Sequence, residues 1–180
     1  MNCSIVIYLL RYKSYFMFFP QIYNSWKPKQ FEKYEMLAKQ IDLKKLFHKK
    51  RVLDIASGPC WFEEFLSAQS IDVSNFIAVD KNLKHLLERN AQVPAICADV
   101  GNFHIDDKFD VIIAMDCLHL FGFDFSAHLK KNSVVLASMF FSSGMEEKRK
   151  LLWKKLKGLK IQKEIIAEGE ENELFLLAVA

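Results

Sequence analysis

Apolar positions in this chain gather into short continuous runs, and most of the early runs end at or beside an acid. Residues 51–55 (RVLDI), 76–80 (FIAVD), 95–98 (AICA) and 109–115 (FDVIIAM) are β-prone, and Asp54, Asp80, Asp99 and Asp116 stand at their ends. Between them, residues 61–68 and 83–89 read as helices, the first with Glu63 and Glu64 in its opening turn, where acids suit the macrodipole. Upstream, Phe31, Tyr34, Leu37, Ala38, Ile41 and Leu46 recur every three or four residues, which predicts an amphipathic helix from about Lys29, after Pro20 and Pro28. Strands alternating with helices imply a parallel sheet, and an unbroken run such as VIIAM is what a strand covered on both faces needs.

Downstream the pattern changes. A short loop-helix region over 121–129 precedes a strand at 133–138 and a helix at 145–158, whose apolar face uses Leu152, Leu156 and Leu159. Two further β runs, 161–167 and 174–179, flank the turn residues 169–172 with no helix between them, so an antiparallel hairpin ends the chain. The expected fold is α/β: a doubly wound, mostly parallel seven-stranded sheet with helices on both faces and a C-terminal antiparallel hairpin. Ligands of such sheets sit beyond the carboxyl ends of the strands.

The first unit says more. RVLDIASGPC is a strand that stops at a small-residue turn and leads into a helix, a geometry that lets backbone N–H groups approach a ligand. A carboxylate about twenty residues onward accepts a ribose hydroxyl pair in nucleotide sites, and Asp80 stands at that interval from Gly58. The pairing points to a nucleotide-like cofactor.

At 180 residues the chain suits one domain, divided as an aromatic-rich N-terminal arm, 1–28, and a Rossmann-type domain, 29–180. Hydrophobic residues make up 51% and charged residues 26%, an ordinary globular balance. The apolar stretch 5–10 is interrupted by Arg11 and Lys13 far below spanning length, without a preceding basic residue or a cleavage site, so no membrane role is expected. The arm is a candidate lid over the substrate pocket, a dimer contact or a cover for the core. Net charge is +3, which leaves nucleic acid unforced as a partner despite the basic series Lys148, Arg149, Lys150, Lys154, Lys155, Lys157, Lys160 and Lys163. Cys3, Cys60, Cys97 and Cys117 lack CxxC spacing, which argues against disulfides and structural zinc and for a reducing, cytoplasmic setting. His48, His85, His104 and His128 show no ligand spacing, so no metal site is expected.

Taken together, the order of the seven strands and four local motifs resembles the class I S-adenosylmethionine-dependent methyltransferases, from about residue 30 to the C-terminus. VLDIASGP is similar to that family's first motif, FIAVDKN to its acidic second strand end, ICADVGNF to its third and FDVIIAMDCLHLF to its fourth. The resemblance implies S-adenosylmethionine as cofactor. Asp54 with Ala56, Ser57, Gly58 and Pro59 would hold the methionine portion, and Asp80, with Lys81 beside it, the ribose hydroxyls. Asp99 and the Val100 backbone would border the adenine, and Met115 and Asp116 the sulfonium and the acceptor pocket. Charge-assisted bonds from carboxylates to diols and amines make these roles chemically apt.

Methyl transfer from a sulfonium is an in-line displacement that depends chiefly on alignment and on exclusion of water. A hydroxyl or protonated-amine nucleophile also needs a base, and His119 is the candidate, with Asp116 as its orienter or as a substrate contact. The fourth motif lacks the Asp/Asn-Pro-Pro-aromatic pattern of relatives that methylate adenine, cytosine or glutamine amides. With little inserted sequence before the hairpin, a small-molecule acceptor is expected. The family usually has Gly where this chain has Ala56 and Cys60, so a catalytically silent relative acting as a binding or partner subunit is the alternative. A nicotinamide-dependent oxidoreductase fits less well, because the turn lacks the GxGxxG glycines.

Overall fold

The computed structural model describes residues 5–7, 25–102, 104–168 and 172–180. In chain order these form β1 (Ile5–Ile7), α1 (Lys27–Gln40), α2 (Leu43–Phe47), β2 (Val52–Ile55), α3 (Trp61–Ala68), β3 (Phe76–Asp80) and α4 (Leu83–Glu88). There follow β4 (Ala95–Cys97), a 3-10 turn (Val100–Asn102), β5 (Phe109–Ala114), α5 (Phe125–His128), β6 (Leu129–Phe141), α6 (Met145–Lys155), β7 (Lys160–Ala167) and β8 (Asn172–Val179).

All the strands join one sheet in the order β1-β4-β3-β2-β5-β6-β8-β7. Pairing is parallel from β1 through β6, and β8 inserts antiparallel between β6 and β7. The seven expected strands are present with the expected hairpin, and Ile5–Ile7 adds an eighth at the edge, in register with Ala95–Cys97. Asp54 lies opposite Ala78 of β3 and Ile113 of β5, so β2 sits in the middle of the sheet and the chain winds outward from it on both sides.

Side-chain alternation along each strand supplies both faces. On one face Val52, Val111, Ile113 and Leu136 pack with Tyr34 and Leu37 of α1, Phe47 of α2 and Phe62, Phe65 and Leu66 of α3. On the other, Leu53, Ile55, Ile112, Ala114 and Val135 pack with Phe125 of α5 and with Leu152 and Leu156. Asp54 shares its face with Val52 and therefore looks toward the α1–α3 layer. Among the described residues, no helix is long and apolar enough to cross a membrane.

Two boundaries differ most from expectation. The helix expected to run on toward Leu46 stops at Gln40, where Ile41 turns extended. Asp42 then caps α2 by accepting the Lys45 N–H at 2.9 Å, because a short carboxylate satisfies an otherwise orphaned first-turn donor. The strand expected at 133–138 runs over Leu129–Phe141, its extra length stabilised by pairing with β8 as far as Phe141. The proposed lid and most of the aromatic arm lie outside the described residues.

Candidate functional site

Parallel pairing forces the carboxyl ends of β2, β3, β4 and β5 onto one rim, and the strand-end acids follow. Asp80 lies opposite Cys97, two residues before Asp99; Asp54 and Ile113 are partners, three residues before Asp116. All four acids expected at a common edge are therefore on it.

The turn after β2 has an uncommon backbone. Ala56, Gly58 and Cys60 have φ of 55°, 58° and 57°, placing every second residue in the left-handed region. For Ala and Cys that conformation costs about 1–2 kcal/mol each, strain that persists only where surrounding contacts impose it and that gathers at functional sites. Here the contacts are visible: the Ser57 N–H donates to the Val79 carbonyl at 3.1 Å, and the Cys60 N–H to the Ser57 carbonyl at 3.1 Å. Cys60 then enters α3 with its side chain packed in the core, its Sγ 3.8 Å from Ser57 Oγ. Ala56 and Ser57 are half-buried, Gly58 and Pro59 buried.

Asp80 ties this turn to β3. Its Oδ2 accepts the Gly58 N–H at 2.8 Å and its Oδ1 the Asn82 N–H at 2.7 Å, while the side chain stays only about a tenth exposed. Each carboxylate oxygen has two lone pairs, so one remains on each for a ligand. Lys81 is exposed beside it. His85 Nδ1 stands 3.8 Å from Asp80 Oδ1, and burial lowers the pKa of that imidazole against the pull of Asp80. Asp99 is half-buried and accepts the Gly101 N–H at 3.0 Å, and Val100 is buried at the head of the 3-10 turn.

Beneath the turn Asp54 meets Glu63, a residue for which the sequence analysis saw only a helix-opening acid. Its neighbour Glu64 turns outward to Lys27 at 2.6 Å and Asn90 at 3.2 Å, whereas Glu63 points inward and is fully buried. With both groups ionised, neither Glu63 oxygen has a donor among the described residues. With one proton between them, one carboxyl donates to the other. Burial first, then the charge of Glu63, lifts the Asp54 carboxyl well above the usual carboxylate range; burial also raises Glu63.

The acceptor side of the rim has a second acidic group. Asp116 takes φ 50° and bridges β5 to β6: its N–H donates to the Ser138 carbonyl at 3.1 Å and its Oδ1 accepts the Phe140 N–H at 3.0 Å. Burial raises its pKa, opposed by that N–H and by Lys33. Lys33 reaches in from α1, almost wholly buried, with its Nζ 3.1 Å from Glu173 Oε2 and 5.2 Å from the Phe140 ring centroid. Glu173, on β8, is pushed up to about 7 by burial and by Asp116, against the pull of Lys33. Met115 is half-buried, and His119 is exposed just beyond; His119 acts on Asp116 through its charge and shares no hydrogen bond with it.

Lys33, Glu63 and Glu173 were not singled out from the sequence. The available signal was spacing: Lys33 precedes the buried Tyr34 and is one turn from Leu37, which places it on the inner face. Of the basic series, Arg149 is engaged by Glu146 and Glu164, Lys155 by the Phe121 carbonyl at 2.6 Å and Lys163 by the Gln40 carbonyl. Cys60, Cys97 and Cys117 are free thiols, with Cys60 and Cys117 buried. No group of three or more His, Cys, Asp or Glu among the described residues is arranged to hold a metal ion.

No protein-family model matches the sequence, and no curated protein matches it either. Solved structures do match the fold. The plantazolicin methyltransferase BpumL, in complex with S-adenosylhomocysteine, superposes with a TM-score of 0.62 at 14% identity over 88% of this chain and 89% of that one. A methyltransferase from Pyrococcus furiosus gives 0.57 at 14%, covering 79% and 81%. The N-methyltransferase NodS from Bradyrhizobium japonicum WM9, also with S-adenosylhomocysteine, gives 0.54 at 10%, covering 71% and 76%. The chain has the Rossmann-like fold of the S-adenosylmethionine-dependent methyltransferases, as its strand order and motifs imply.

Proposed function

We propose, from the fold this chain shares with the S-adenosylmethionine-dependent methyltransferases, that it binds that cofactor along the β2–β5 rim and transfers its methyl group to a small-molecule acceptor. The observation that carries the reading is the strained turn 56–60 flanked by Asp54, Asp80 and Asp99 on a single edge. The donor set suits the ligand. A buried acidic pair with unpaired oxygens complements an ammonium, a carboxylate with spare lone pairs complements a diol, and a half-buried acid beside a backbone turn complements an exocyclic amine.

When bound, the sulfonium supplies a methyl group with an intrinsically good leaving group. The chain's residues do the rest. Asp54 and the 56–59 backbone, including Ala56, Ser57, Gly58 and Pro59, hold the methionine end; Asp80 and Lys81 hold the ribose, and Asp99 with Val100 the base. Met115 walls the reacting centre against water. Where the nucleophile carries a proton, His119 accepts it. His119→Ala is then expected to lower turnover at least about a hundredfold without weakening cofactor binding.

Ala56 and Cys60 in left-handed conformations favour a second reading, a catalytically silent subunit that keeps the fold. Calorimetric titration with S-adenosylhomocysteine separates the two. Micromolar binding that drops about 30- to 150-fold in Asp80→Ala, roughly the 2–3 kcal/mol of two lost charge-assisted bonds, supports the enzyme. Wild-type protein that takes up no ligand supports the silent subunit.

A further inference from the structure

Asp54 and Glu63 are two buried carboxyls, and no cation among the described residues forms an ion pair with either. Asp54 is the penultimate residue of β2, and Glu63 lies in the first turn of α3, so the pair spans the floor of the turn that connects them. The neighbouring ionisable groups give little relief. The charges acting on Asp54 are those of Glu63 and Asp80, both negative. The Cys60 and Cys117 thiols are buried and held neutral, and Arg89, whose charge bears on Cys60, hydrogen-bonds the Leu86 carbonyl. Two buried carboxyls in contact resist ionising together, and such a dyad shares one proton. The Glu63 oxygens fit that state, since no donor side chain among the described residues reaches them.

A cation entering at the turn changes that balance. Resting on the cofactor reading above, we infer that the Asp54–Glu63 pair holds one proton while the site is empty and surrenders it to solvent when the ligand's ammonium group arrives. One O–H bond is broken, the proton passes to water or buffer, and the ammonium N–H groups replace it as donor. Cofactor affinity is therefore linked to pH. It rises as the pH rises through the titration of the pair, because the protonated, empty site is the form that competes with ligand. Burial and mutual repulsion place that titration above the ordinary carboxylate range. Glu63 is a positioning residue in this scheme, acting on the ligand through Asp54.

The experiment is calorimetric titration of the full chain with S-adenosylhomocysteine from about pH 5 to about pH 7, where the ligand's ammonium stays charged, in paired buffers of low and high ionisation enthalpy. The expected result is a binding enthalpy that differs between buffers as release of about one proton requires, with affinity rising up to about tenfold per pH unit below the titration. 5′-Methylthioadenosine, which lacks the ammonium, should show neither effect. Glu63→Gln removes the charge that repels Asp54 and offers it an amide N–H, so the pH below which affinity falls should move down. A purely structural Glu63 would leave wild-type enthalpies equal in both buffers; that outcome, or a pH profile unmoved in Glu63→Gln, overturns the inference while leaving the cofactor reading intact. Absence of any S-adenosylhomocysteine binding overturns both.

Discussion

Two buried acidic clusters occupy the same rim and differ in one respect. On the acceptor side, Asp116 and Glu173 have a cation of their own, because Lys33 from α1 inserts its ammonium 3.1 Å from Glu173. Under the turn, Asp54 and Glu63 have none among the described residues. A buried carboxyl pair with an internal cation is complete and can serve the fold; one without must hold a proton or await a charge from outside. The cluster that lacks its cation is the one beneath the strained backbone.

Breaking the complete cluster should have the largest effect. Lys33→Met strands Glu173 and Asp116 without their counter-ion and should destabilise the protein by about 3–5 kcal/mol at pH 8 in urea denaturation. The loss should shrink near pH 5, where Glu173 is free to take up a proton; an equal loss at both pH values would mean that Lys33 acts by packing alone.

Glu173→Gln sharpens the same point. A carboxyl whose folded pKa is raised, here from 4.5 to about 7, carries no penalty below the lower value and its full penalty above the higher one. Wild-type stability should thus fall relative to Glu173→Gln as pH climbs through that window, by up to about 3 kcal/mol. Parallel stability curves would contradict the shift.

The smallest effect is expected at Cys60. Cys60→Gly relieves about 1–2 kcal/mol of left-handed strain but gives up buried contacts and adds chain entropy to the unfolded state, so net stability should change by less than about 1 kcal/mol. Because the thiol packs into the core, cofactor affinity should also hold within about threefold. A gain of tenfold or more would show that Cys60 obstructs the site, and would favour the silent-subunit reading.

These comparisons also show what local pattern carries. Most internal strands are continuous apolar runs because both faces are covered, so their positions are readable from the sequence; β6 is longer than its apolar run because it pairs with β8. β1 is different: residues 5–7 become a strand through parallel pairing with β4, about ninety residues later in the chain, and nothing local distinguishes them from an aromatic arm. The end of α1 at Gln40 depends on Asp42 acting as a cap, a choice the apolar period passes over. Among site residues, the strand-end acids were legible since parallel topology must collect them. Lys33, Glu63 and Glu173 were not. A charged residue in an amphipathic helix or beside a turn ordinarily faces solvent, and only the packing of α1, α3 and β8 against the sheet buries these three.

The central claim is that the rim of β2 to β5 receives an adenosyl ligand, and a crystal structure grown with S-adenosylhomocysteine tests it most directly. The account predicts the ribose hydroxyls on Asp80, the adenine beside Asp99 and Val100, and the ammonium at the turn above Asp54 and Glu63. Density for the ligand anywhere else, or a ribose with no contact to Asp80, would contradict it.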